Sequence, residues 1–210
     1  MKIIRPILND TGLTLVELMI VLVLSLLLMA AVYLTYQLQH ASGQSQTQVV
    51  ATQQDLRAAM DIISIDIMNS GANPDYSVTK LELQGITNTS GAASLELVMD
   101  LNDNGTTNGA SDIGEDVIYS LQGTSLTRTC VNPVVGNITQ PVANNVTQLA
   151  FTYLDSQYTP IVPAGTLTNT QAQSVKFIQV AITKNSDQVD PQTHKPVTRH
   201  LQRTVCRRNG

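Results

Sequence analysis

An apolar run near the N-terminus limits what this chain can fold into more than any other feature. From Leu18 to Leu34 only Ser25 interrupts it, and about 20 apolar residues suffice for a helix to cross a bilayer. Lys2 and Arg5 precede the run, as basic residues do in export signals. A cleaved secretory signal has an apolar region of only about 7–15 residues. The run is therefore too long for one and predicts a membrane-spanning helix.

A carboxylate, Glu17, stands at the beginning of this run. A charged side chain at the centre of a membrane helix costs about 2.5–3.5 kcal/mol. A plain signal anchor accounts for the length of the run, but it explains neither Glu17 nor the polar sequence NDTG at residues 9–12. A carboxylate near a helix N-terminus does face the favourable end of the helix dipole. We therefore expect Glu17 to have a partner or a function.

The sequence GLTLVELMIVLVLSLLL at residues 12–28 resembles the class III signal of type IV pilins and type II secretion pseudopilins. The resemblance implies that a prepilin peptidase cuts the Gly12–Leu13 bond on the cytoplasmic side and methylates the new amine of Leu13. It also implies that Glu17 pairs with the N-terminal amine of a neighbouring subunit. Leu13 departs from the phenylalanine usual in the family. The alternative for Glu17 is a carboxylate that reaches the membrane interface and has no partner.

One long helix is predicted to follow the cut. Between Pro6 and Pro74 the chain has no proline, which permits a helix from Leu13 to about Ser70, on the order of 85 Å long. Gly71 is placed to end it in a left-handed conformation. The polar sequence HASGQSQ at residues 40–46 predicts a bend or a frayed turn. The second half carries an apolar stripe that we expect to pack on the globular domain, formed by Val49, Leu56, Met60, Ile63 and Ile67.

Short segments with alternating hydrophobicity indicate strands beyond this helix. The predicted strands are residues 94–101, 116–121, 148–154, 176–183 and 199–207. The predicted fold class is α+β, with a long N-terminal helix packed on an antiparallel β-sheet. Four segments are predicted: a leader at residues 1–12, a transmembrane and filament-core helix at 13–36, the amphipathic half of the helix at 37–73, and a β-rich globular domain at 74–210.

The order of the later segments sharpens the resemblance. The strings VIYSLQGTSLTRTC, VTQLAFTYLD, VKFIQVAITK and LQRTVCRRN resemble, as a pattern, those of PilW-type minor pilins and J-type minor pseudopilins of type II secretion. The resemblance implies a minor subunit of a filament, because major pilins are usually shorter.

A polar loop, DLNDNGTTNGAS at residues 100–111, begins with the calcium-loop pattern D-x-N-x-N-G. Ser111 stands where a calcium loop has a bidentate glutamate, which Asp112, Glu115 or Asp116 could replace if the loop folds back. The candidate ligands are Asp100, Asn102, Asn104, Asp112 and Glu115. The other interpretation is a hairpin tip rich in Asn and Gly that needs no metal. No other cofactor is indicated.

Two cysteines, Cys130 and Cys206, are too few for a zinc site. In an exported chain they predict one disulfide, which would close a loop of more than seventy residues. Such a bond would contribute about 4 kcal/mol in the chain-entropy model. The alternative is two free buried thiols.

No catalytic motif is recognised, so we expect that the protein is not an enzyme. The net charge is −4, and nothing indicates nucleic-acid binding. The only basic cluster, Arg203, Arg207 and Arg208, is interpreted as a solvated edge, and Asp61 and Asp66 on the helix as solvated side chains.

The leading hypothesis is a minor pilin that initiates or caps type IV pilus assembly. Its expected partners are the prepilin peptidase, other minor and major pilins or pseudopilins, and the inner membrane. The protein would cross that membrane once, with a periplasmic globular domain, before it enters the filament. One alternative is a J-like minor pseudopilin at the tip of a type II secretion pseudopilus. Another is a membrane-anchored adhesion or binding module that never polymerises.

Overall fold

A computed structural model describes residues 12, 14–72, 85–102, 104–107 and 109–209. Its contacts divide the chain into two compact units, residues 1–44 and residues 45–210. One helix, α1 (Leu15–Asn69), contributes residues to both units. The second unit contains the remaining elements.

In the first unit, α1 is apolar on all sides. Every residue from 14 to 40 is exposed, and large apolar side chains such as Leu28 and Val32 remain 69% and 68% accessible. This is the one helix among the described residues that is long and apolar enough to span a membrane. Apolar side chains on every face of a helix require an apolar environment, so this segment indicates membrane anchoring.

The course of α1 corrects one prediction and agrees with another. The helix is continuous across residues 40–46, so the predicted interruption there is wrong. A single glycine such as Gly43 costs a helix only about 1 kcal/mol. The helix ends at Asn69, and Gly71 has a φ of +74°, the left-handed conformation expected after a helix C-terminus. Pro74 lies outside the described residues.

Eight strands and one short helix make up the rest of the second unit. Their bounds are β1 (Ser94–Val98), β2 (Asp116–Gln122), β3 (Ser125–Cys130), β4 (Ile138–Ala143), β5 (Val146–Leu154), β6 (Pro160–Ile161), α2 (Asn169–Ser174), β7 (Phe177–Val189) and β8 (Pro196–Cys206). The five predicted strands correspond to β1, β2, β5, β7 and β8. The sequence interpretation missed β3, β4, β6 and α2, whose apolar residues alternate less regularly.

The strands form two antiparallel sheets of four strands each, instead of the single predicted sheet. Their orders are β1-β2-β3-β4 and β6-β5-β7-β8. Only Asn144 and Asn145 separate β4 of the first sheet from β5 of the second, and Asn145 has a φ of +56°. Asparagine tolerates this left-handed conformation better than most residues, which lets the chain change sheets over two residues. The predicted α+β class is confirmed.

One hydrophobic core joins α1 to both sheets. The predicted stripe supplies it: Leu56, Met60, Ile63 and Ile67 are at most 2% exposed, while Val49 is half-buried. Burial of a Leu or Ile side chain contributes about 1.5–3 kcal/mol. Strand residues from both sheets complete this core, among them Leu95, Val117, Tyr119, Phe151, Val180 and Ile182.

Four polar contacts run along the edge of the buried face of α1. Three of them tie the helix to the second sheet and its β7–β8 hairpin: Ser45 donates to Asp190 (2.6 Å), Lys184 pairs with Asp55 (3.1 Å), and Arg203 pairs with Asp61 (2.6 Å). The fourth ties it to the first sheet, where Asp66 accepts from Tyr119 (2.5 Å) and Arg128 (2.8 Å). The helix is thus bonded to both sheets.

The predictions of solvated charges are wrong for Asp66 and Arg207, whereas Asp61, Arg203 and Arg208 are exposed as predicted. Asp66 is only 13% exposed and holds Arg128 in an ion pair. In the C-terminal basic cluster, Arg203 is engaged by Asp61 and Arg207 is only 2% exposed, with its Nη1 donating to the carbonyl oxygen of Val175 (3.0 Å). A charge pattern in sequence cannot distinguish solvent from a carboxylate on another element.

The two cysteines are free thiols instead of the predicted disulfide. Cys130 ends β3 in the first sheet and Cys206 ends β8 in the second, so neither strand is a neighbour of the other. Cys130 is buried and accepts from Nη1 of Arg128 (2.9 Å), whereas Cys206 is exposed. A disulfide requires Cα atoms within about 7 Å, and sequence spacing cannot establish that proximity.

The core predicts a large difference between two neighbouring isoleucines of α1. Ile63→Ala removes a fully buried side chain and is expected to lower the free energy of unfolding by about 2–5 kcal/mol. Ile65→Ala is the matched control, because Ile65 is 53% exposed, and we expect a change within about 1 kcal/mol. Urea unfolding of the full chain in detergent, followed by circular dichroism, measures both. Equal losses would contradict the assignment of the buried face.

Candidate functional site

The N-terminus of α1 is held by a reciprocal pair of hydrogen bonds between Thr14 and Glu17. The backbone N–H and the hydroxyl of Thr14 both donate to Oε2 of Glu17 at 2.9 Å, and the backbone N–H of Glu17 donates to the Thr14 hydroxyl oxygen at 3.2 Å. This is a capping box, in which two otherwise unsatisfied N–H groups gain partners. The sequence contained its signal, T-x-x-E, but we did not assign Thr14 a function.

The capping box leaves part of Glu17 available. Oε2 takes both Thr14 donors, while within the described residues Oε1 accepts no hydrogen bond, and the side chain is exposed. The carboxylate is therefore fixed in orientation and retains a free acceptor. A cation that approached the beginning of α1 could pair with it without breaking the cap.

Among the described residues, no contact requires residue 12 to be glycine. A Cβ added to it would meet no atom within 4 Å, and Gly12 is exposed. Any preference for glycine there would have to come from recognition by another molecule. Leu13, the other half of the predicted cleavage site, lies outside the described residues, so the structure does not place it.

The second candidate site, the polar loop at residues 100–115, is organised around the carboxylate of Asp112. This side chain is fully buried and accepts five hydrogen bonds. The donors are the hydroxyls of Thr106 (2.7 Å) and Ser111 (3.0 Å), the amides of Asn102 (3.0 Å) and Asn104 (2.7 Å), and the backbone N–H of Gly109 (2.6 Å). These donors, Thr106 foremost, hold the pKa of Asp112 well below its ordinary range.

Two more of the predicted ligands are buried in the same loop. Oδ2 of Asp100 accepts from the backbone N–H of Gly105 (2.9 Å). Oε1 of Glu115 accepts from the N–H groups of Leu101 (2.8 Å) and Asn102 (2.9 Å), while Oε2 is buried and has no partner among the described residues. Burial is the main cause of the raised pKa of Glu115, while these two hydrogen bonds act in the opposite direction.

These contacts are hydrogen bonds among groups of the loop itself. Calcium requires six to eight oxygen ligands, yet Asn102 and Asn104 direct their N–H₂ groups at Asp112 and use their oxygens to accept from the loop. In the part of the chain that the structure describes, there is no group of three or more acidic, histidine or cysteine side chains that could hold a metal. Asp103 lies outside the described residues. Calcium binding stays a prediction, and the hydrogen bonds account for the loop without it.

Asp112→Asn tests which interaction holds the loop. The substitution replaces one carboxylate oxygen by an N–H₂ group, which would face the hydrogen-bond donors around residue 112. We therefore expect a lower unfolding temperature at neutral pH, with the same loss in calcium and in EGTA. Since the folded pKa is depressed, this stabilisation is present at neutral pH and is lost as the pH falls below about 4. Thermal unfolding of the full chain in detergent measures the effect.

Asp155→Asn is the matched control, because Asp155 accepts from the backbone N–H groups of Gln157 and Thr159 (2.8 Å each), and an asparagine oxygen can do the same. A calcium-dependent rise in the unfolding temperature that Asp112→Asn abolishes would contradict the hydrogen-bond account and support calcium.

A neighbouring carboxylate, Asp116 at the beginning of β2, lies next to Glu96 of β1. Its Oδ1 is buried and has no hydrogen-bond partner within the described ranges. Burial and then the negative charge of Glu96 raise the pKa of Asp116 to about 7. A raised pKa means that the folded protein keeps a proton that the unfolded chain has lost, so this group makes stability fall as the pH rises from about 4 to about 7.

Asp116→Asn removes that dependence. At about pH 5 the wild-type side chain is protonated and neutral in the folded protein, so the variant should differ little. At about pH 8.5 it carries a poorly solvated charge, and the variant should unfold at a higher temperature. Thermal unfolding of both proteins at the two pH values provides the measurement. A change of the same size at both would show that Asp116 does not titrate in this range.

Two comparisons with protein families match the chain. Residues 45–206 match the family model described as prepilin peptidase-dependent protein B. Residues 8–33 match the prokaryotic N-terminal methylation motif, a range that contains Gly12, Leu13 and Glu17. A search of curated proteins found no match. The first match covers more than half of the chain and nearly all of the second unit. The predicted resemblance to proteins with a prepilin signal is confirmed.

Proposed function

The chain belongs to the prepilin peptidase-dependent protein B family, and we propose that it is a minor pilin that initiates or caps a type IV pilus. The family and the methylation motif make it a minor pilin or pseudopilin, which is a structural class and not an enzymatic one. In this proposal the prepilin peptidase cuts the Gly12–Leu13 bond and methylates the amine of Leu13. The globular unit is periplasmic before assembly and lies on the filament afterwards.

The arrangement of Glu17 is the single observation that most supports this proposal. Its carboxylate is fixed by Thr14, keeps a free oxygen, and lies at the start of a helix whose apolar side chains are all exposed up to residue 40. A charge near an apolar environment is unfavourable unless it is paired. Pairing with the amine of a neighbouring subunit would neutralise two such charges in one contact, which favours docking into a filament.

The absence of a steric requirement at Gly12 supports the same proposal. Since a Cβ there would meet no atom of the described residues within 4 Å, a need for glycine at residue 12 would arise in the peptidase. Thr14 would act as a positioning residue, because it orients the carboxylate of Glu17.

Glu17→Ala separates processing from assembly. We expect the variant to lose its leader as the wild type does, and to fall at least about tenfold in filament incorporation, because one charge-assisted contact is lost. Intact mass and N-terminal sequencing of membrane protein measure processing, and immunoblotting of sheared filaments measures incorporation. Ser25→Ala is the control: it removes another polar group of the same apolar segment, whose hydroxyl bonds only to the carbonyl oxygen of Leu22 (2.8 Å).

Normal incorporation of Glu17→Ala would contradict the proposal. A wild-type chain that keeps its leader in cells with an active prepilin peptidase would also contradict it. The membrane-anchored binding module would then be the better account. Identification of the major subunit in the filament that carries the wild-type chain distinguishes a type IV pilus from a type II secretion pseudopilus.

A further inference from the structure

A small pocket lies between the amphipathic half of α1 and strand β8. Its volume is about 120 Å³, enough for a carboxylate or a phosphate group, since a water molecule occupies about 30 Å³. Two arginines are among its lining residues, which are Gln53, Leu56 and Arg57 from α1, and Arg199, His200 and Leu201 from β8.

The two arginines of the pocket have no carboxylate of their own. Within the described ranges neither Arg57 nor Arg199 forms an ion pair. The three aspartates of α1 are already engaged by other cations of the sheets: Asp55 by Lys184, Asp61 by Arg203 and Asp66 by Arg128.

Arg199 shows the strongest need for an anion. Its Nε is buried and finds no hydrogen-bond acceptor among the residues described, and a buried donor without a partner is unfavourable. Arg199 also lies directly across from Lys184 in the β7–β8 pairing, and like charges in that position repel. Lys184 is compensated by Asp55 (3.1 Å) and Asp187 (2.9 Å), whereas Arg199 is not.

We propose that this pocket binds a carboxylate of an acidic side chain on a neighbouring subunit, with Arg199 and Arg57 as the binding residues. Guanidinium groups bind carboxylates through paired, charge-assisted hydrogen bonds. The aspartates of α1 are already paired, which favours a carboxylate from another subunit over one from a second copy of this helix. The choice of a subunit as the source rests on the proposed function; the anion chemistry of the pocket does not.

The first experiment needs no filament. The full chain, labelled with ¹⁵N-arginine and held in detergent, is titrated with sodium acetate and separately with sodium chloride or inorganic phosphate at equal ionic strength. We expect acetate to produce a saturable shift of the Arg199 Nε–Hε resonance and none in exposed Arg208, and we expect Arg57→Gln to weaken the response of Arg199. A response to acetate no larger than that to chloride would overturn the pocket, and tighter binding of phosphate would overturn its assignment to a carboxylate.

The second experiment tests the subunit contact. Arg57→Gln/Arg199→Gln is compared with Arg208→Gln, which removes an exposed arginine outside the pocket. The double variant should lose its leader normally. It should unfold at no lower temperature than the wild type, because the repulsion between Arg199 and Lys184 is removed. We expect its filament incorporation to fall about tenfold, as for the loss of a charge-assisted contact, with the control unchanged.

The two experiments separate the two proposals. Normal incorporation of the double variant beside normal incorporation of the wild type would overturn the subunit contact and leave the minor pilin standing. A lower unfolding temperature together with poor incorporation would assign the arginines to the fold and would also overturn it. A wild-type chain that never enters a filament would refute the proposed function, and the acetate titration would still decide whether the pocket binds carboxylates.

Discussion

Burial of one face of the second half of α1 is the interaction on which the globular unit depends. Leu56, Met60, Ile63 and Ile67 fill a core that both sheets share. The polar contacts at the edge of this face tie the helix to the two sheets, with Asp66 bonded to the first and Asp55 and Asp61 to the second. Since an ionised side chain loses solvation when it is buried, pairing matters most for Lys184 and Asp66, which are 2% and 13% exposed.

The same helix has an opposite character in the first unit, where its apolar side chains are all exposed. None of the described residues covers them, so the helix needs lipid or other helices there. Glu17 and Thr14 lie where that apolar segment begins. The capping box there leaves one oxygen of the Glu17 carboxylate without a partner among the described residues. Membrane storage and filament assembly would both use this segment, since each supplies an apolar surrounding.

The polar loop and the basic pocket show how neighbouring groups decide what a residue does. Asp112 stands in a pattern typical of calcium ligands, yet donors from its own loop fill its oxygens. Arg199 lies across from Lys184 in the β7–β8 register, and its buried Nε has no acceptor among the described residues, so an anion would be favourable there. Residue spacing shows neither condition, because it does not show how the loop folds around Asp112 or that Asp55 of α1 engages Lys184 and leaves Arg199 without a carboxylate among the described residues.

The sequence by itself determined the N-terminal signal, the long helix with its buried stripe, its stop near Gly71, five strands and the α+β class. These follow from local patterns: helical and strand periodicity, and the conformational freedom of glycine. Only the tertiary structure decided that there are two sheets, that Cys130 and Cys206 are free thiols on strands of different sheets, and that Asp66 is partly buried and Arg207 buried. Those outcomes depend on which distant strands pair and on where each charge finds its counter-charge, and such proximity arises only when the whole chain packs.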